Sequence, residues 1–544
     1  MGCFQKEGID YTDTYASVMA TRTFRYLLQL YNNVETHSME HWDVSTAFIH
    51  APLKEQVWMK QATGHEVKGK EHYVCLLLKA LYGTKQAAHA WQKHLSGLLE
   101  LEGFTPLILD PATYVKHDGD AFVIIGTHVD DLFVVSNEKG KPIKVKLWKF
   151  LITRLAIKTL GDAQWTLQML IQRDAKAGII KISQESFIVE VLRRFNMSNC
   201  KSAPTPAVDS GKESTMDDED PAQLDEIVDL PFLELIGCLW WLAQMTRLDI
   251  FVALQRASHW VSKPSLKLWR WLVRILRYLS GTKNLGLVYT RNPEAAPLQA
   301  YVDAAFADNP GCRSTAGWVF LVHGSVVAYD ACTIKRVVTS STEAECSALT
   351  VVGKENSWQR RMYSDATGIT NIPPTPISGD NTASIALISS GVTKRSRHFD
   401  IEWFKFKDLV ENKELVVSWV PTDENWADFF TKKLARTKLS TSEISSAPEL
   451  QSHFNSPISC SMIYVYDDEE AESCMDRTCC DLMSTDEPMN IVDSYVRTSG
   501  TDGIMDMLDV VGTAQVKTAA SIFPRRKQIA TSRCPLPLFS SERK

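Results

Sequence analysis

One short stretch constrains the fold most, because it places two acids between two strands: Phe122-Val-Ile-Ile-Gly-Thr-His-Val-Asp-Asp-Leu-Phe-Val-Val-Ser136. The apolar runs on either side are rich in β-branched residues, and the pair Asp130–Asp131 falls where a hairpin would turn. Two adjacent carboxylates repel each other and resist desolvation, and a divalent cation removes both costs. A lone Asp-Asp pair is nevertheless more often an ordinary turn. The stretch therefore predicts a buried hairpin, and a metal site here depends on further acids.

A third acid, Asp43, follows a predicted strand in the segment His41–Ile49. If that strand neighbours the hairpin, Asp43 meets Asp130, and acids placed in this way bridge two metals about 3.5–4 Å apart in in-line phosphoryl transfer. Phe48 could then lie beneath a sugar ring, although an aromatic residue there is by itself more often part of the core. The surrounding helices, one of them predicted over Lys79–Leu101, and antiparallel strands predict an α+β layer.

A second set of acids is spread over Leu298–Lys433, where the predicted strands and helices form a mixed sheet with helices against it. Each acid follows a strand or lies in or at the start of a helix: Asp303, Glu345, Asp380 and Asp428. Individually such residues are typical of surface acids or helix caps. Four carboxylates within one small α/β unit are typical of a two-metal nuclease. The span is long enough for its own core, and we expect it to fold and act independently.

A basic stretch precedes this unit, since Arg256–Lys283 contains seven Lys or Arg residues and no acid. Four of its basic residues form a stripe at helical spacing: Lys267, Arg270, Arg274 and Arg277. Two interpretations stay open. The stripe is either a solvated helix face, in which long basic side chains cover apolar surface, or a face that follows phosphates with interleaved tryptophans.

Bulk properties narrow the class of protein. The 544 residues carry a net charge of −6, which argues against a simple basic nucleic-acid binder but not against an enzyme with localised basic patches. The N-terminus has no apolar signal core, and the 12 cysteines are scattered, which predicts reduced thiols in an intracellular protein. No apolar run is long enough to span a bilayer.

Many ordered motifs resemble the reverse transcriptase of copia-type LTR retrotransposons, and later ones resemble the ribonuclease H domain of that family. The resemblance runs from about residue 5 to 434. The polymerase-like motifs include Gln5-Lys-Glu-Gly-Ile-Asp-Tyr11, Asp43-Val-Ser-Thr-Ala-Phe48, Leu78-Lys-Ala-Leu-Tyr-Gly-Thr-Lys-Gln-Ala87, Val129-Asp-Asp131 and Thr246-Arg247. The nuclease-like motifs are Ser340-Ser-Thr-Glu-Ala-Glu345, Asp380-Asn381, Arg397-His398 and Ala427-Asp428.

The resemblance implies a role for each of these acids. Asp43 and Asp130 would be polymerase metal ligands supported by Asp131, and Phe48 would be the gate against ribonucleotides. Gly83 and Lys85 would line the nucleotide and template site. The nuclease metal ligands would be Asp303, Glu345, Asp380 and Asp428.

The resemblance also implies the cofactors, the partners and the location. Each active site would take two Mg²⁺ or Mn²⁺ ions. The partners would be an RNA template, a DNA primer, an RNA–DNA hybrid and dNTPs, without a membrane. The location would be cytoplasmic, in particles, and also nuclear.

Several positions depart from the family's pattern. The family's second Asp in Asp-Ala-Asp is Ala305 here, and its usual Trp and Gly are Phe306 and Asp308. The basic finger strands that precede the Gln-Lys-Glu-Gly motif would lie upstream of this chain, so we expect polymerase to be the weaker activity. The alternative is a decayed element that folds and binds nucleic acid without polymerising.

The expected fold is α+β, with a reverse-transcriptase palm built on an antiparallel sheet, a helical basic connecting region and an α/β ribonuclease H-like domain with a mixed sheet. The predicted boundaries are 1–138 for the palm and partial fingers, 139–210 for the thumb-like remainder of the reverse transcriptase, 211–230 for an acidic linker, 231–296 for the connecting region, 297–434 for the ribonuclease H-like domain and 435–544 for a tail without a predicted role.

Overall fold

The computed structural model describes residues 2–207, 230–262, 265–390 and 401–433. The chain divides into two units, 1–462 and 463–544, and every described residue lies in the first. The predicted linker apart from Leu230, the predicted tail and the motif Arg397-His398 lie outside the described residues. The domain boundaries therefore stay predictions.

The described helices alternate with strands along the chain. The helices are α1 (Thr21–Asn32), α2 (Ala87–Leu101), α3 (Lys141–Ile152), α4 (Glu185–Arg194), α5 (Phe232–Met245), α6 (Phe251–Ser258), α7 (Leu266–Gly281), α8 (Ser341–Thr367), α9 (Thr382–Ser390) and α10 (Ile401–Glu411). The strands are β1 (Ser38–Val44), β2 (Pro52–Lys60), β3 (Val74–Lys79), β4 (Thr105–Pro106), β5 (Thr113–Asp118), β6 (Ala121–His128), β7 (Asp131–Ser136), β8 (Ile157–Asp162), β9 (Trp165–Thr166), β10 (Met169–Asp174), β11 (Ile179–Ser183), β12 (Gly286–Thr290), β13 (Leu298–Asn309), β14 (Arg313–Val322), β15 (Ser325–Thr333), β16 (Thr375–Gly379) and β17 (Leu415–Trp419).

The palm is a six-stranded sheet in the order β4-β5-β6-β7-β1-β8. The predicted hairpin is confirmed as β6 and β7, whose β-branched residues alternate between two cores on opposite faces of the sheet. On one face, Leu132 and Val134 pack with α2 and α3, and on the other, Phe133 and Val135 pack toward α1. The hairpin is therefore covered on both sides, and its turn lies at an edge where acids can meet.

The helix predicted over Lys79–Leu101 begins later, at Ala87. The preceding residues form a turn, because Gly83 has φ +85°, a conformation that β-carbon-bearing residues rarely adopt and that no helix contains. Two smaller sheets complete this half of the molecule. One is the hairpin β2-β3, and the other has the order β12-β11-β10-β9. The connecting region thus holds helices α5–α7, as predicted, and then contributes strand β12 to the second of these sheets.

The ribonuclease H-like part is a five-stranded sheet in the order β15-β14-β13-β16-β17. Strands β13, β14 and β15 are antiparallel, whereas β13, β16 and β17 are parallel, so the predicted mixed sheet is confirmed. Helix α8 packs against β13 and β14 and is capped by Ser340, whose hydroxyl accepts a hydrogen bond from the Glu343 backbone N–H at 3.2 Å.

Helix α1 lies between the palm sheet and the ribonuclease H-like part. Its side chains Arg25, Gln29 and Asn32 are buried and donate to backbone carbonyls far along the chain. Arg25 Nε donates to Val327 O of β15 at 2.7 Å, and Asn32 Nδ2 donates to Tyr289 O of β12 at 3.0 Å. The expectation that the nuclease segment folds independently is therefore at odds with its packing, because a palm helix covers one side of it.

No helix in the described part of the chain has both the length and the apolar character needed to cross a membrane.

Candidate active sites

The palm site lies at the turn between β6 and β7 and the adjacent end of β1. Strands β1 and β7 are antiparallel neighbours, and Asp43 is the direct cross-strand partner of Asp131. Paired residues on antiparallel strands point to the same face. The backbone N–H of Val44 donates to Asp130 O at 2.9 Å, which fixes the end of β1 beside the turn. The predicted approach of Asp43 to the hairpin acids is therefore found.

The three palm carboxylates do not form a compact cluster. In the described part of the chain, three acids with carboxylate oxygens all within 4.8 Å of one another occur at the nuclease site and not at the palm. Lys158 Nζ lies 3.2 Å from Asp43 Oδ2, and His41 Nε2 lies 2.7 Å from Asp131 Oδ1. Burial and then the neighbouring charges of Asp131 and Asp43 raise the pKa of Asp130. Asp43 and Asp131 thus each contact a basic side chain, whereas the pKa of Asp130 is raised by burial and by the charges of the other two acids.

The turn itself is strained. Val129 has φ +55°, in the left-handed region that a β-branched residue occupies only at a cost of about 1–3 kcal/mol. The indole Nε1 of Trp91 in α2 donates to Val129 O at 2.6 Å. Together with the Val44–Asp130 bond, this contact holds the backbone in the conformation that presents the Asp130 carboxylate.

The three predicted nucleotide-site residues lie in one neighbourhood. Phe48 lies in a 3₁₀ helix (Ala47–His50) that follows β1, and its ring centroid is 4.5 Å from that of Tyr82. Tyr82 directly precedes Gly83, and the exposed Lys85 follows two residues later, with its backbone N–H donating to Gln5 Oε1 at 2.8 Å. The structure brings these segments together, and their role in nucleotide binding stays a prediction.

The nuclease acids converge from three elements. Asp303 in β13 and Glu345 in α8 are buried, Asp380 follows β16 and is half-buried, and carboxylate oxygens of these three lie within 4.8 Å of one another. Thr422 Oγ1 donates to Asp380 Oδ2 at 2.8 Å, and the Thr431 hydroxyl donates to Asp303. Asp303 is thus the acid that β13 supplies to this group. It lies inside that strand and not, as expected, directly after one, and its role as a metal ligand stays a prediction.

Asp428 lies beside this group on a short 3₁₀ helix (Trp426–Phe430) that Asn425 caps, and Lys432 links it to Asp303. The Asn425 side chain accepts from the Ala427 N–H at 3.1 Å and donates to Val302 O of β13 at 3.0 Å. A Cβ on Gly317 of β14 would lie 2.7 Å from Thr431 Cγ2, so a glycine is required where this segment crosses the sheet. The sequence placed Asp428 at the start of a helix, and the structure has it inside this 3₁₀ helix of 5 residues.

Burial and mutual repulsion dominate the electrostatics of the nuclease site. Burial, with smaller contributions from Asp303 and Asp380, raises the pKa of Glu345 to about 9. Burial also raises the pKa of Asp303, against the lowering effect of Lys432 and Thr431. Burial lowers the pKa of Lys432, but the surrounding carboxylates outweigh it and the net shift is upward. Grouped carboxylate oxygens of this kind suit hard divalent cations such as Mg²⁺.

The four predicted nucleic-acid-binding residues of α7 divide into two pairs. Lys267 and Arg270 are exposed. Arg274 and Arg277 are half-buried and bind the segment before the linker, with Arg274 Nη2 donating to Thr205 Oγ1 at 3.1 Å and Arg277 Nε donating to Lys201 O at 2.8 Å. The latter two therefore have a structural role, whatever else they contact.

Sequence reasoning missed several residues that contact these acids. Lys158 and His41 belong to the palm site, Trp91 holds its turn, and Lys432 contacts the nuclease acids. The spacing of four residues between Asp428 and Lys432 on one helical turn was the available signal for the last of these.

Comparisons with known proteins agree with this architecture. Residues 1–209 match the reverse transcriptase (RNA-dependent DNA polymerase) family. Over 443 residues the chain is 32% identical to the retrovirus-related Pol polyprotein from transposon TNT 1-94 of Nicotiana tabacum, covering 80% of this chain and 33% of that protein. It is 30% identical over 441 residues to the Pol polyprotein from transposon RE1 of Arabidopsis thaliana, covering 80% of this chain and 29% of that protein. The chain thus spans about a third of the length of the curated relatives it matches.

Two kinds of solved structure are also similar. A crystal structure of LC11-RNase H1 in complex with RNA/DNA hybrid is 16% identical with a TM-score of 0.21, covering 26% of this chain and 99% of that chain. The native prototype foamy virus protease-reverse transcriptase is 11% identical with a TM-score of 0.21, covering 78% of this chain and 48% of that chain. The family match and the plant relatives support the resemblance to copia-type retrotransposon Pol polyproteins: residues 1–209 match the reverse transcriptase family, and the two plant transposon Pol polyproteins are similar over 80% of the chain.

Proposed function

We propose that the chain is an RNA-directed DNA polymerase that also cleaves the RNA strand of RNA–DNA hybrids, each site using two Mg²⁺ or Mn²⁺ ions. The observation that carries the proposal is the convergence of Asp303, Glu345 and Asp380 within 4.8 Å in a chain whose residues 1–209 match the reverse transcriptase family. Mutually repelling buried acids are costly unless a cation is shared, which supports a catalytic rather than a purely structural role.

In the palm, Asp43 and Asp130 would hold the ions, and His41 fixes the orientation of the neighbouring Asp131 through their 2.7 Å contact. Phe48 would stack against the sugar of an incoming dNTP. Lys85 is exposed three residues after Tyr82, the ring that Phe48 contacts, and would bind a phosphate of the same dNTP. The turn holds Asp130 at the ends of two interior strands, where the 3′ end of a DNA primer on an RNA template would approach it.

In the nuclease site, the ions would be held by Asp303, Glu345, Asp380 and Asp428. When bound, divalent ions activate an attacking water or hydroxyl and neutralise the charge that develops on the phosphate. The chain's own contribution is positioning: β13, α8 and the residue after β16 bring Asp303, Glu345 and Asp380 within 4.8 Å of one another. Lys432 joins Asp428 to this group through contacts of 2.6 Å with Asp428 and 3.3 Å with Asp303. The exposed Lys267 and Arg270 of α7 would contact phosphates of a bound hybrid.

The test uses the full chain in two assays, primer extension on an RNA template and cleavage of an RNA–DNA hybrid, each with Mg²⁺ or Mn²⁺. We expect Asp130→Asn to lower extension at least about a hundredfold and leave cleavage, and Asp303→Asn to do the reverse, because each removes a ligand charge from one site. Asp423→Asn, at an exposed acid near the nuclease site, is the matched control and should change neither.

Absence of both activities would contradict the proposed function. A folded wild-type chain that neither extends primers nor cleaves hybrids with either metal would favour the decayed element that binds nucleic acid without catalysis.

We further propose, by the resemblance to retrotransposon proteins, that the protein acts in cytoplasmic particles and in the nucleus. Fluorescent tagging of the expressed chain would test this location.

A further inference from the structure

A lysine ammonium lies among the nuclease acids. Lys432 Nζ is 2.6 Å from Asp428 Oδ1, 3.3 Å from Asp303 Oδ1 and 3.9 Å from Asp380 Oδ2. These are three of the four acids to which the proposed function assigns metal binding. The ammonium therefore contacts carboxylate oxygens that a divalent ion would also take.

The fold places Lys432 there by several independent contacts. The Lys432 backbone N–H donates to Asp428 O at 2.9 Å, so the two residues share one helical turn. The neighbouring Thr431 hydroxyl donates to Asp303, which ties the same segment to β13. Gly317 leaves the space that the segment needs over the sheet. Lys433, by contrast, turns away from the acids, with its ammonium 5.6 Å from the centre of the Trp271 ring.

An ammonium and a divalent ion cannot both lie against the same oxygens without repelling each other. Each favours the charged form of the acids, and each weakens the other's binding by the same factor, as linkage requires. Lys432 therefore differs from a phosphate-binding lysine, whose removal would weaken a substrate complex and leave the metal affinity of the protein unchanged.

We propose that Lys432 is a tethered counter-ion of the nuclease acids: it offsets their mutual repulsion and competes with the divalent ion, so it sets the metal affinity of this site. The inference rests on the proposed function for the identity of the metal ligands. Lys432 is a positioning residue in this account, because it acts through the acids.

The experiment measures Mn²⁺ binding to the full chain by isothermal titration calorimetry. Every protein carries Asp130→Asn, so that the palm acids contribute less to the signal. In that background, Lys432→Met should bind Mn²⁺ at least about fivefold more tightly, the lower end of typical coupling between two ligands. Lys433→Met removes an equal charge one residue away and should leave the affinity unchanged. An unchanged or weaker affinity in Lys432→Met would overturn the proposal.

Thermal unfolding supplies a second readout that does not depend on catalysis. In EDTA, Lys432→Met should unfold at a lower temperature than Lys433→Met, because its buried acids have lost their counter-charge, and saturating Mn²⁺ should remove that difference. If Lys432→Met does not fold in EDTA, its refolding on addition of Mn²⁺ supports the proposal, and a failure to refold contradicts it. Lys432→Arg keeps the charge and should remain close to the parent protein.

Two further variants separate this inference from the proposed function. Loss of Mn²⁺ uptake in both Asp303→Asn and Asp380→Asn, with no change of affinity in Lys432→Met, would overturn the counter-ion alone. Normal uptake in both Asp→Asn variants would show that these acids are not the metal ligands and would overturn the ligand set and the counter-ion together.

Discussion

At the scale of single residues, two glutamates on one turn of α8 show how burial alone does not decide the effect of a charge. Glu343 and Glu345 are both buried. Glu343 Oε2 accepts from the N–H and the hydroxyl of Thr339 at 2.8 and 2.9 Å, and the Glu343 backbone is capped by Ser340. Glu345 faces Asp303 and Asp380 instead, and burial is the main cause of its raised pKa. We therefore expect Glu343 to stabilise the start of the helix. We expect Glu345 to destabilise the fold when no metal ion is bound.

The same substitution should therefore have opposite effects at the two positions. In EDTA near pH 7, Glu345→Gln should raise the free energy of unfolding by roughly 1 kcal/mol, because the raised pKa of Glu345 makes folding take up a proton at this carboxyl, and a neutral amide needs none. Glu343→Gln should lower it by about 0.5–1 kcal/mol, because it loses a charge at the N-terminus of a helix. Urea unfolding of the two variants measures both values. Destabilisation by Glu345→Gln would mean that the acids are not repelling one another.

The palm turn offers a second test at this scale. Trp91→Phe keeps most of the ring and removes the N–H that binds Val129 O, so we expect a decrease of about 1 kcal/mol in stability. The strained turn should then lose its orientation, and primer extension should fall while hybrid cleavage stays the same. Trp165→Phe, at an exposed tryptophan in β9, is the control and should leave both activities unchanged. Equal extension rates in the two variants would show that the bond does not orient Asp130.

At the scale of elements, α7 is the helix for which the sequence left two interpretations open. Its buried face includes Leu268, Leu272 and Ile275, and Trp271 lies beneath Lys433 next to the nuclease segment. Lys267 is four residues before Trp271 and Arg274 is three after it, so these residues share the face of the helix on which Trp271 meets Lys433 of the nuclease segment. This position favours the phosphate-contacting interpretation for the exposed end of the stripe.

Salt dependence distinguishes the two interpretations. Lys267→Gln with Arg270→Gln should weaken hybrid binding and reduce the slope of log K against log salt by about one unit for each phosphate that no longer has a basic partner. Arg361→Gln with Lys413→Gln removes the same charge at exposed positions elsewhere and should leave the slope unchanged. Binding as a function of salt, followed by fluorescence anisotropy, gives the slopes. The solvated-face interpretation would be correct if both pairs behaved alike.

Local patterns were sufficient for the elements and for the acids. The alternation in Phe122–Ser136 predicted β6 and β7, and Asp380 follows β16 as expected, whereas Asp303 lies inside β13 because that strand continues to Asn309. The contacts that complete each site could not be predicted in this way. Trp91 meets Val129 across 38 residues of sequence, and Lys432 meets Asp303 across 129, and no periodicity encodes pairs so far apart. The position of the Lys79–Leu101 helix was wrong for a local reason, since the positive φ of Gly83 interrupts an otherwise helical composition.

At the scale of the whole molecule, α1 packs against both the palm and the ribonuclease H-like part. Buried side chains of α1 reach both the connecting region and the ribonuclease H-like part. Gln29 Nε2 donates to Thr290 O at 3.1 Å and His323 O at 3.3 Å, and Tyr26 OH donates to Gln359 O of α8 at 3.2 Å. Buried donors that satisfy buried carbonyls make separation of the parts costly, because each group would be left unpaired. We therefore expect the palm and the nuclease part to unfold together.

Arg25 is the residue on which this coupling depends most. Its guanidinium donates to Val327 O at 2.7 Å, Gln244 O at 2.5 Å and the Tyr329 hydroxyl at 3.4 Å, and it lies 4.6 Å from the centre of the Tyr329 ring. Arg25→Met would leave Val327 O buried without this donor, while the Tyr329 hydroxyl would still donate to Gln244 O, so we expect it to destabilise the full chain by about 1–3 kcal/mol and to lower polymerase and nuclease activity together. Arg22→Met, three residues earlier, removes one partly exposed pair with Glu355 and should cost no more than about 1 kcal/mol.

Urea unfolding followed by tryptophan fluorescence and by hybrid cleavage measures both effects, and the two signals should report one transition in the wild type. A segment covering 297–434 alone would expose Val327 and Tyr329, which α1 and its neighbours cover in the full chain. We expect that segment to be far less stable than the intact protein, contrary to what its length and its four acids predict. A stable, active 297–434 segment, or an Arg25→Met chain that loses extension and keeps cleavage, would show that α1 is a contact between separately folding parts.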